Sequence, residues 1–151
     1  MNKKDTVVFD LDGTLLDTLE DLKNSVNYAM TQCGYPEHTL DEVRRYVGNG
    51  ILLLMQRAIP GGKDDPNFDK AFTLFKEHYG KHCNDTTKPY AGIMELLHTL
   101  KENNIKIAIV SNKADFAVKE LNAIYFKDLI LVAIGEKESE GIRKKPAPDT
   151  V

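Results

Sequence analysis

The sequence predicts an α/β protein with a parallel sheet and an all-helical insert after the first strand. Three short apolar runs, at residues 6–9, 105–110 and 129–134, have the length and β-branched content of buried strands. A helical pattern separates the last two runs, and such strand–helix–strand alternation favours parallel strands with right-handed connections. Residues 18–85 show helical periodicity without a strand pattern, which in an α/β protein indicates a separate subdomain.

We therefore expect residues 1–17 and 86–151 to form an α/β core and residues 18–85 to form a helical cap. The helices of the cap are separated by breaks at Gly34, at Gly48-Asn49-Gly50 and at Pro60-Gly61-Gly62. Because the chain crosses between the two parts only twice, we expect the cap to move relative to the core.

The composition excludes several classes of protein. The 151 residues are 42% hydrophobic and 28% charged, with a net charge of −3 and both signs mixed, so no basic nucleic-acid footprint is present. No apolar run approaches the roughly 20 residues of a membrane helix, and residues 1–5 are too polar to begin a secretory signal. Cys33 and Cys83 are then expected to be reduced thiols of a cytoplasmic protein, a monomer or weak homo-oligomer.

Two acids follow the first predicted strand, separated by one residue. The period of two along a strand aims Asp10 and Asp12 at the same side, and Gly13 allows a sharp turn after them. The carboxyl end of a buried strand is where open α/β sheets place ligands. Two neighbouring carboxylates repel each other unless a cation or a shared proton lies between them. This pattern indicates a functional site rather than an ordinary Asp-Gly turn.

The stretch Asp10–Thr18 closely resembles the first motif of the haloacid dehalogenase-like phosphohydrolases, and in particular of their phosphoglycolate phosphatase-like branch. Val110-Ser111-Asn112-Lys113 and Lys144-Lys145-Pro146-Ala147-Pro148-Asp149 resemble the second and third motifs. The resemblance implies a Rossmann-like core of three α/β/α layers with an inserted helical cap. A fourth, acidic motif is expected after the third. Because the sequence stops at Val151, we expect a core that is truncated at its C-terminus and a chain that is a poor catalyst.

The resemblance also implies roles for individual residues. Asp10 would be the nucleophile and Asp12 the general acid and base, with Mg²⁺ held by the Asp10 side chain and the Asp12 backbone carbonyl. The expected phosphate-binding residues are Gly13, Thr14, Ser111, Asn112 and Lys145. Lys145, which immediately precedes a proline as in the family, would neutralise Asp10 and the transferring phosphoryl group. From the residues alone, Ser111 could equally be a helix cap.

The cap carries its own candidate residues. Arg44, Arg45 and Asn49 lie near a glycine-rich break that resembles the substrate-facing loop of phosphoglycolate phosphatase-like proteins. An arginine there could hold a substrate carboxylate through two parallel hydrogen bonds, although a solvated helix face remains the simpler interpretation. His78 and His82 have the spacing of zinc ligands on a helix, but without a partner pair a mixed helix face is favoured.

We thus expect a Mg²⁺-dependent phosphatase that hydrolyses a small, phosphoglycolate-like phosphate monoester through an aspartyl phosphate. Its partner would be a small phosphorylated metabolite, with no nucleic acid and no membrane. A phosphosugar mutase or a pyrophosphatase of the same family remains an alternative. Two further alternatives are a phospho-acceptor module, in which Asp10 is phosphorylated but not turned over, and a catalytically incomplete fragment.

Overall fold

The computed structural model describes residues 5–151, which divide into two compact units. The α/β unit comprises the described residues up to Asp17 and Lys88–Val151, and the helical unit comprises Thr18–Thr87. Residues 1–4, which we assigned to the core, lie outside the described residues. The helical unit ends two residues later than the cap boundary at residue 85, because Asp21 binds the backbone of both Thr86 and Thr87.

The strands are β1 (Thr6–Phe9), β2 (Leu16–Asp17), β3 (Lys88–Pro89), β4 (Lys106–Ala114) and β5 (Val132–Glu136). The helices of the helical unit are α1 (Leu19–Gln32), α2 (Leu40–Tyr46), α3 (Ile51–Ala58) and α4 (Phe68–His82). The helices of the α/β unit are α5 (Ile93–Glu102) and α6 (Asp115–Tyr125). None of the helices within residues 5–151 combines the length and the apolar character needed to cross a bilayer.

The main sheet of the α/β unit has three parallel strands in the order β1-β4-β5, which confirms the predicted fold class. Thr6 lies opposite Lys106, and Ala108 lies opposite Val132. The carboxyl ends of parallel strands meet at one edge of a sheet. The residues after β1 and those at the end of β4 are therefore brought to the same edge.

The core of the α/β unit joins the sheet to its two helices. Leu97 of α5 and Leu121 of α6 belong to one buried cluster with Ile107 and Ile109 of β4, and each side chain is at most 2% exposed. Burying each such side chain contributes about 1.5–3 kcal/mol relative to leaving it in water. These buried side chains therefore pack α5 and α6 against β4, the central strand of the sheet.

Strand β4 is longer than the sequence predicts. Its expected end was Val110, but the strand continues through Ala114, with a register irregularity after Val110. Ser111 therefore lies within the strand rather than behind it, and the next helix begins only at Asp115. Helix α6 has Ala114 as its N-cap and no side-chain cap, so the alternative in which Ser111 caps a helix is wrong.

Strand β5 begins later than its apolar run. The predicted strand at 129–134 is wrong in its bounds, because the backbone amides of Leu129 and Ile130 both bond to the carbonyl of Phe126 and form a turn. The strand instead continues two residues beyond the predicted end, to Glu136. Strand β1 was expected to be buried, but it lies at the edge of the described sheet and Val8 is 47% exposed.

A two-stranded antiparallel ribbon was not predicted at all. Leu16 pairs with Pro89 and Asp17 with Lys88, and the Tyr90 amide donates to the Leu15 carbonyl. These short strands lie where the chain leaves the α/β unit and where it returns to it. The ribbon therefore holds the two ends of the α/β unit's interrupted chain beside each other.

The helical unit has a separate core, formed mainly by α1 and α4. Buried Met30, Met55 and Phe75 belong to one cluster and are each 0% exposed. Helix α2 begins with a capping interaction between two side chains and the backbone. The Thr39 hydroxyl accepts from the Glu42 amide, and the Glu42 carboxylate accepts from the Thr39 amide, so the two residues form a capping box.

Asp21 closes the helical unit by joining its first helix to its last residues. The carboxylate is 1% exposed and accepts hydrogen bonds from the backbone amides and the hydroxyls of Thr86 and Thr87. Burial raises the pKa of Asp21, but the hydrogen bonds from Thr87 and Thr86 outweigh it and hold the pKa below its ordinary value. Asp21 is therefore a buried anion whose charge is stabilised by hydrogen bonds.

Candidate functional site

The acid pair lies on a tight loop that is anchored by leucines. The Leu11 carbonyl accepts hydrogen bonds from the amides of Thr14, Leu15 and Leu16, at 3.2, 3.0 and 3.1 Å. The side chains of Leu11, Leu15 and Leu16 are fully buried. Gly13 has a φ of 76°, which side chains other than glycine rarely adopt. The loop therefore fixes the backbone of the two acids on either side of Leu11.

Asp10 lies against Lys145, from the opposite end of the α/β unit's sequence. The Lys145 Nζ donates to the Asp10 Oδ1 at 3.0 Å, and the two side chains are 30% and 44% exposed. Lys145 approaches Oδ1, and within residues 5–151 no hydrogen bond engages Oδ2. The structure thus brings the expected nucleophile and the expected cation of the third motif into direct contact.

Asp12 lies against a second lysine that the sequence reasoning missed. The Lys113 Nζ donates to the Asp12 Oδ1 at 3.0 Å, and the Lys113 side chain is only 2% exposed. A buried ammonium group is costly without a nearby negative charge, and Asp12 supplies one. The signal was present in the sequence: Ser111 and Lys113 are two apart, so they share one face of the extended β4.

Ser111 is buried on that face, and its hydroxyl accepts a hydrogen bond from the Lys113 amide at 3.1 Å. Gly13 and Thr14, also expected to bind phosphate, lie exposed on the loop after β1. Hydroxyl and amide groups of this kind are suitable donors to phosphoryl oxygens. The three residues therefore stay candidates for phosphate binding.

Asn112 makes contacts that differ from those expected of a phosphate ligand. Its Nδ2 donates to the Lys145 carbonyl at 3.2 Å, and its Oδ1 accepts from the Lys145 amide at 2.8 Å. One amide side chain therefore binds both backbone polar groups of Lys145. These contacts hold the backbone of the lysine that pairs with Asp10, and the role of Asn112 in phosphate binding stays a prediction.

A second device holds the segment that carries Lys145. The Arg143 Nε and Nη2 donate to the two carboxylate oxygens of Asp149 at 2.9 and 2.7 Å, and the Arg143 amide adds a third hydrogen bond. The Arg143 guanidinium and amide lower the pKa of Asp149 to about 2. Asp149 therefore stays ionised at neutral pH. Its ion pair with Arg143 joins the chain before Lys145 to the chain after it.

Gly135 fixes the junction between β4 and α6, next to Lys113. Its amide donates to the Asp115 carboxylate at 2.8 Å. A Cβ atom at position 135 would lie 2.5 Å from the Lys113 carbonyl oxygen and 2.4 Å from the Asp115 Cα. Any side chain here would displace the backbone that carries Lys113, so the position requires glycine because of close packing.

The oxygen atoms of the site suit a hard divalent cation, but they are few. The Asp10 carboxylate and the Asp12 carbonyl are the donors that the resemblance assigns to Mg²⁺. Within the described residues, no group of three or more His, Cys, Asp or Glu side chains could hold a metal. Mg²⁺ commonly binds through one or two carboxylates and keeps several waters. The residues present therefore fit a cation whose remaining ligands are water and substrate phosphate.

The candidate residues of the helical unit differ in their partners. Arg44 is hydrogen-bonded to Asp41, and both Arg44 and Arg45 are exposed. The Asn49 Oδ1 accepts from the Arg57 Nη2 at 3.1 Å, and the Arg57 Nη1 also donates to the Tyr46 carbonyl at 2.8 Å. Arg57, which the sequence reasoning did not single out, therefore holds the glycine-rich loop in shape.

Comparison with known proteins identifies the family. The family model described as haloacid dehalogenase-like hydrolase matches residues 7–151. The phosphoglycolate phosphatase of Nitrosospira multiformis is 33% identical over 147 residues, which cover 94% of this chain and 64% of the relative. That of Thiobacillus denitrificans is 36% identical over 113 residues, which cover 72% and 50%. The chain thus spans about half to two thirds of the length of these curated relatives.

A solved structure agrees with the sequence comparisons. The crystal structure of a protein from Lactobacillus delbrueckii subsp. bulgaricus, provisionally described as a phosphoglycolate phosphatase, aligns with a TM-score of 0.86 and 32% identity. The alignment covers 97% of this chain and 70% of that protein. With a family model that matches from β1 to the last residue, the chain belongs to the haloacid dehalogenase-like hydrolase family.

Proposed function

We propose that this chain carries the core catalytic groups of a Mg²⁺-dependent phosphatase that acts on small phosphate monoesters through an aspartyl phosphate. One observation carries the proposal: two carboxylates at the sheet edge each face a lysine ammonium at 3.0 Å. Phosphoryl transfer depends mainly on positioning and on stabilising negative charge. The two carboxylates and the two lysine ammonium groups, which separate strands and loops hold in place, supply both the positioning and the stabilisation of charge.

In the first half-reaction, a carboxylate oxygen of Asp10 attacks the phosphorus atom while the ester P–O bond breaks. The leaving alkoxide takes a proton from the carboxylic acid form of Asp12, and the phosphoryl group remains on Asp10. The Lys145 ammonium, 3.0 Å from Asp10, offsets the negative charge of the nucleophile and of the incoming phosphoryl group. A bound Mg²⁺ would supply further positive charge to the phosphoryl oxygens.

In the second half-reaction, a water molecule attacks the same phosphorus atom and the bond to Asp10 breaks. The Asp12 carboxylate takes the proton of that water, which restores both carboxyl groups to their starting states. Lys113 remains near Asp12 throughout because its side chain is buried in β4.

The substrate class is supported by the relatives, which are named phosphoglycolate phosphatases. A phosphoglycolate-like substrate has a carboxylate in addition to its phosphate. Arg45 is the residue we assign to that carboxylate, because the neighbouring Arg44 already binds Asp41. Arginine suits this role because its guanidinium can donate two parallel hydrogen bonds to one carboxylate.

Replacing Arg45 with Gln should therefore lower kcat/KM for phosphoglycolate by about tenfold or more, since a hydrogen bond to a charged group contributes about 1.5–3 kcal/mol. Hydrolysis of p-nitrophenyl phosphate, which has no carboxylate, should change little. Arg44→Gln is the matched control, because it removes an adjacent arginine that is already paired. An equal loss of kcat/KM for both substrates, or in both variants, would show that Arg45 does not bind the substrate carboxylate.

The proposed reaction is tested by measuring phosphate release from phosphoglycolate and from p-nitrophenyl phosphate. In a catalytically complete form, activity should be present with Mg²⁺, fall to background in EDTA and return when Mg²⁺ is added back. Activity that EDTA leaves untouched would contradict the metal dependence. A single burst of phosphorylation without steady release would instead identify a phospho-acceptor module.

A further inference from the structure

The two lysines that face the acid pair differ in how much of each side chain a substrate can reach. The Lys145 side chain, which contacts Asp10, is 30% exposed, whereas the Lys113 side chain, which contacts Asp12, is 2% exposed. A side chain with almost no accessible surface cannot lie against a phosphoryl group. Lys113 is therefore placed to act on Asp12 and not directly on a substrate.

The ammonium group of Lys113 has a fixed position, because the sheet holds both its backbone and its side chain. The Lys113 amide donates to the Ser111 hydroxyl at 3.1 Å, within the extended end of β4. The Lys113 carbonyl packs so closely against Gly135 that a Cβ atom there would lie 2.5 Å from the oxygen. Burial also removes most of the rotamer freedom that a lysine has in water. The Nζ atom is therefore a rigid donor, 3.0 Å from the Asp12 Oδ1.

The Asp12 carboxylate is a group whose orientation matters for the proposed reaction. Its side chain is 26% exposed and lies on the loop after β1, so part of its surface is open to water and to a substrate. Proton transfer in a transition state depends on geometry, and a misplacement of about 1 Å can lower the rate by about a hundredfold. A rigid ammonium group beside this carboxylate is therefore suited to hold it in one orientation.

We propose that Lys113 is the positioning residue of the general acid and base: it orients the Asp12 carboxylate towards the leaving-group oxygen, whereas Lys145 acts on the nucleophile and the phosphoryl group. The inference rests on the proposed function, in which Asp12 protonates the leaving alkoxide as the ester P–O bond breaks and then takes the proton of the attacking water. The two lysines thus serve opposite ends of the bond that breaks.

The two roles predict different dependences on the leaving group. The alkoxide that leaves phosphoglycolate is strongly basic and requires a proton, whereas p-nitrophenolate is weakly basic and leaves with little help from an acid. In a catalytically complete form, Lys113→Met should lower kcat/KM for phosphoglycolate by about tenfold to a hundredfold, and that for p-nitrophenyl phosphate by less than about threefold. Lys145→Met should lower kcat/KM for both substrates by similar factors, because the transferred phosphoryl group is common to them.

Lys106→Met is the matched control, because Lys106 is an exposed lysine of the same strand, and it should leave kcat/KM for both substrates unchanged. Circular dichroism establishes that each variant is folded. If Lys113→Met does not fold, the double variant Asp12→Asn/Lys113→Met retains the test, since it leaves neither charge without its partner. Because Lys113 is inferred to act through Asp12, the double variant should hydrolyse phosphoglycolate at the same rate as Asp12→Asn.

Equal losses of kcat/KM for the two substrates in Lys113→Met would overturn the inference, as would a double variant that is slower than Asp12→Asn. The single variant Asp12→Asn separates this result from a failure of the proposed function. If Asp12→Asn hydrolyses phosphoglycolate at the unaltered rate, Asp12 is not the acid, and both the proposed function and the inference are wrong. If Asp12→Asn is impaired and Lys113→Met is not, only the inference is wrong.

Discussion

In a catalytically complete form, Asp10→Asn should abolish phosphatase turnover, with a loss of about a thousandfold or more. The substitution keeps the size of the side chain but replaces a nucleophilic carboxylate with an amide that cannot form an acyl phosphate. The side chain is 44% exposed, so the folded structure should tolerate the loss of its ion pair with Lys145 at small cost. The measurement is steady-state hydrolysis of p-nitrophenyl phosphate, together with mass spectrometry of protein trapped with substrate.

Asp128→Asn is the matched control for this experiment, because Asp128 is an exposed acid of the same unit. The control variant should retain full turnover and should still form the phosphorylated species. Asp10→Asn should lack that species while remaining folded by circular dichroism. If Asp10→Asn turns over substrate at the rate of the control, Asp10 is not the nucleophile and the proposed mechanism is wrong.

Asp21→Asn should be among the most destabilising single substitutions in the helical unit, lowering the free energy of unfolding by about 3 kcal/mol. The carboxylate accepts from two backbone amides and two hydroxyls, whereas an asparagine side chain offers one acceptor oxygen and an NH₂ group. That NH₂ would face groups that are themselves donors, and Thr87 is too buried for water to take over. Chemical denaturation followed by circular dichroism measures the change.

The control for Asp21 is Asp69→Asn. Both acids lie in the first turn of a helix of the helical unit, so both substitutions remove a similar favourable interaction with the helix dipole, about 0.3–1 kcal/mol. Asp69 is exposed, so its substitution should cost no more than that. Similar losses for the two variants would contradict the role assigned to the hydrogen bonds of Asp21.

The sequence was informative where a local pattern determines the structure. Asp10 and Asp12 could be placed at a sheet edge because an apolar strand and a glycine turn surround them. Lys113 was missed because Ser111-Asn112-Lys113 is polar and reads as the end of a strand. In the structure the central position of β4 overrides that local polarity, and Asp12 provides the charge that lets a lysine be buried.

Other features depend on contacts that no local pattern encodes. The ribbon of β2 and β3 joins residues more than 70 positions apart, and two-residue strands are too short to show a period. The position of β1 at the edge of the described sheet follows from strand order, so its apolar sequence could not predict the exposure of Val8. The contacts of Asn112 with Lys145 likewise become visible only when both segments are in place.

The close approach at Gly135 has a consequence for how sequences of this fold can diverge. The atoms that a side chain would strike are the Lys113 carbonyl oxygen and the Asp115 backbone, which every amino acid possesses. A second substitution elsewhere can shorten a neighbouring side chain, but it cannot remove a main-chain atom. In a saturation library, no second substitution should therefore restore the stability that is lost when Gly135 is replaced. An enlarged residue in an apolar core differs, because a smaller neighbouring side chain can make room for it.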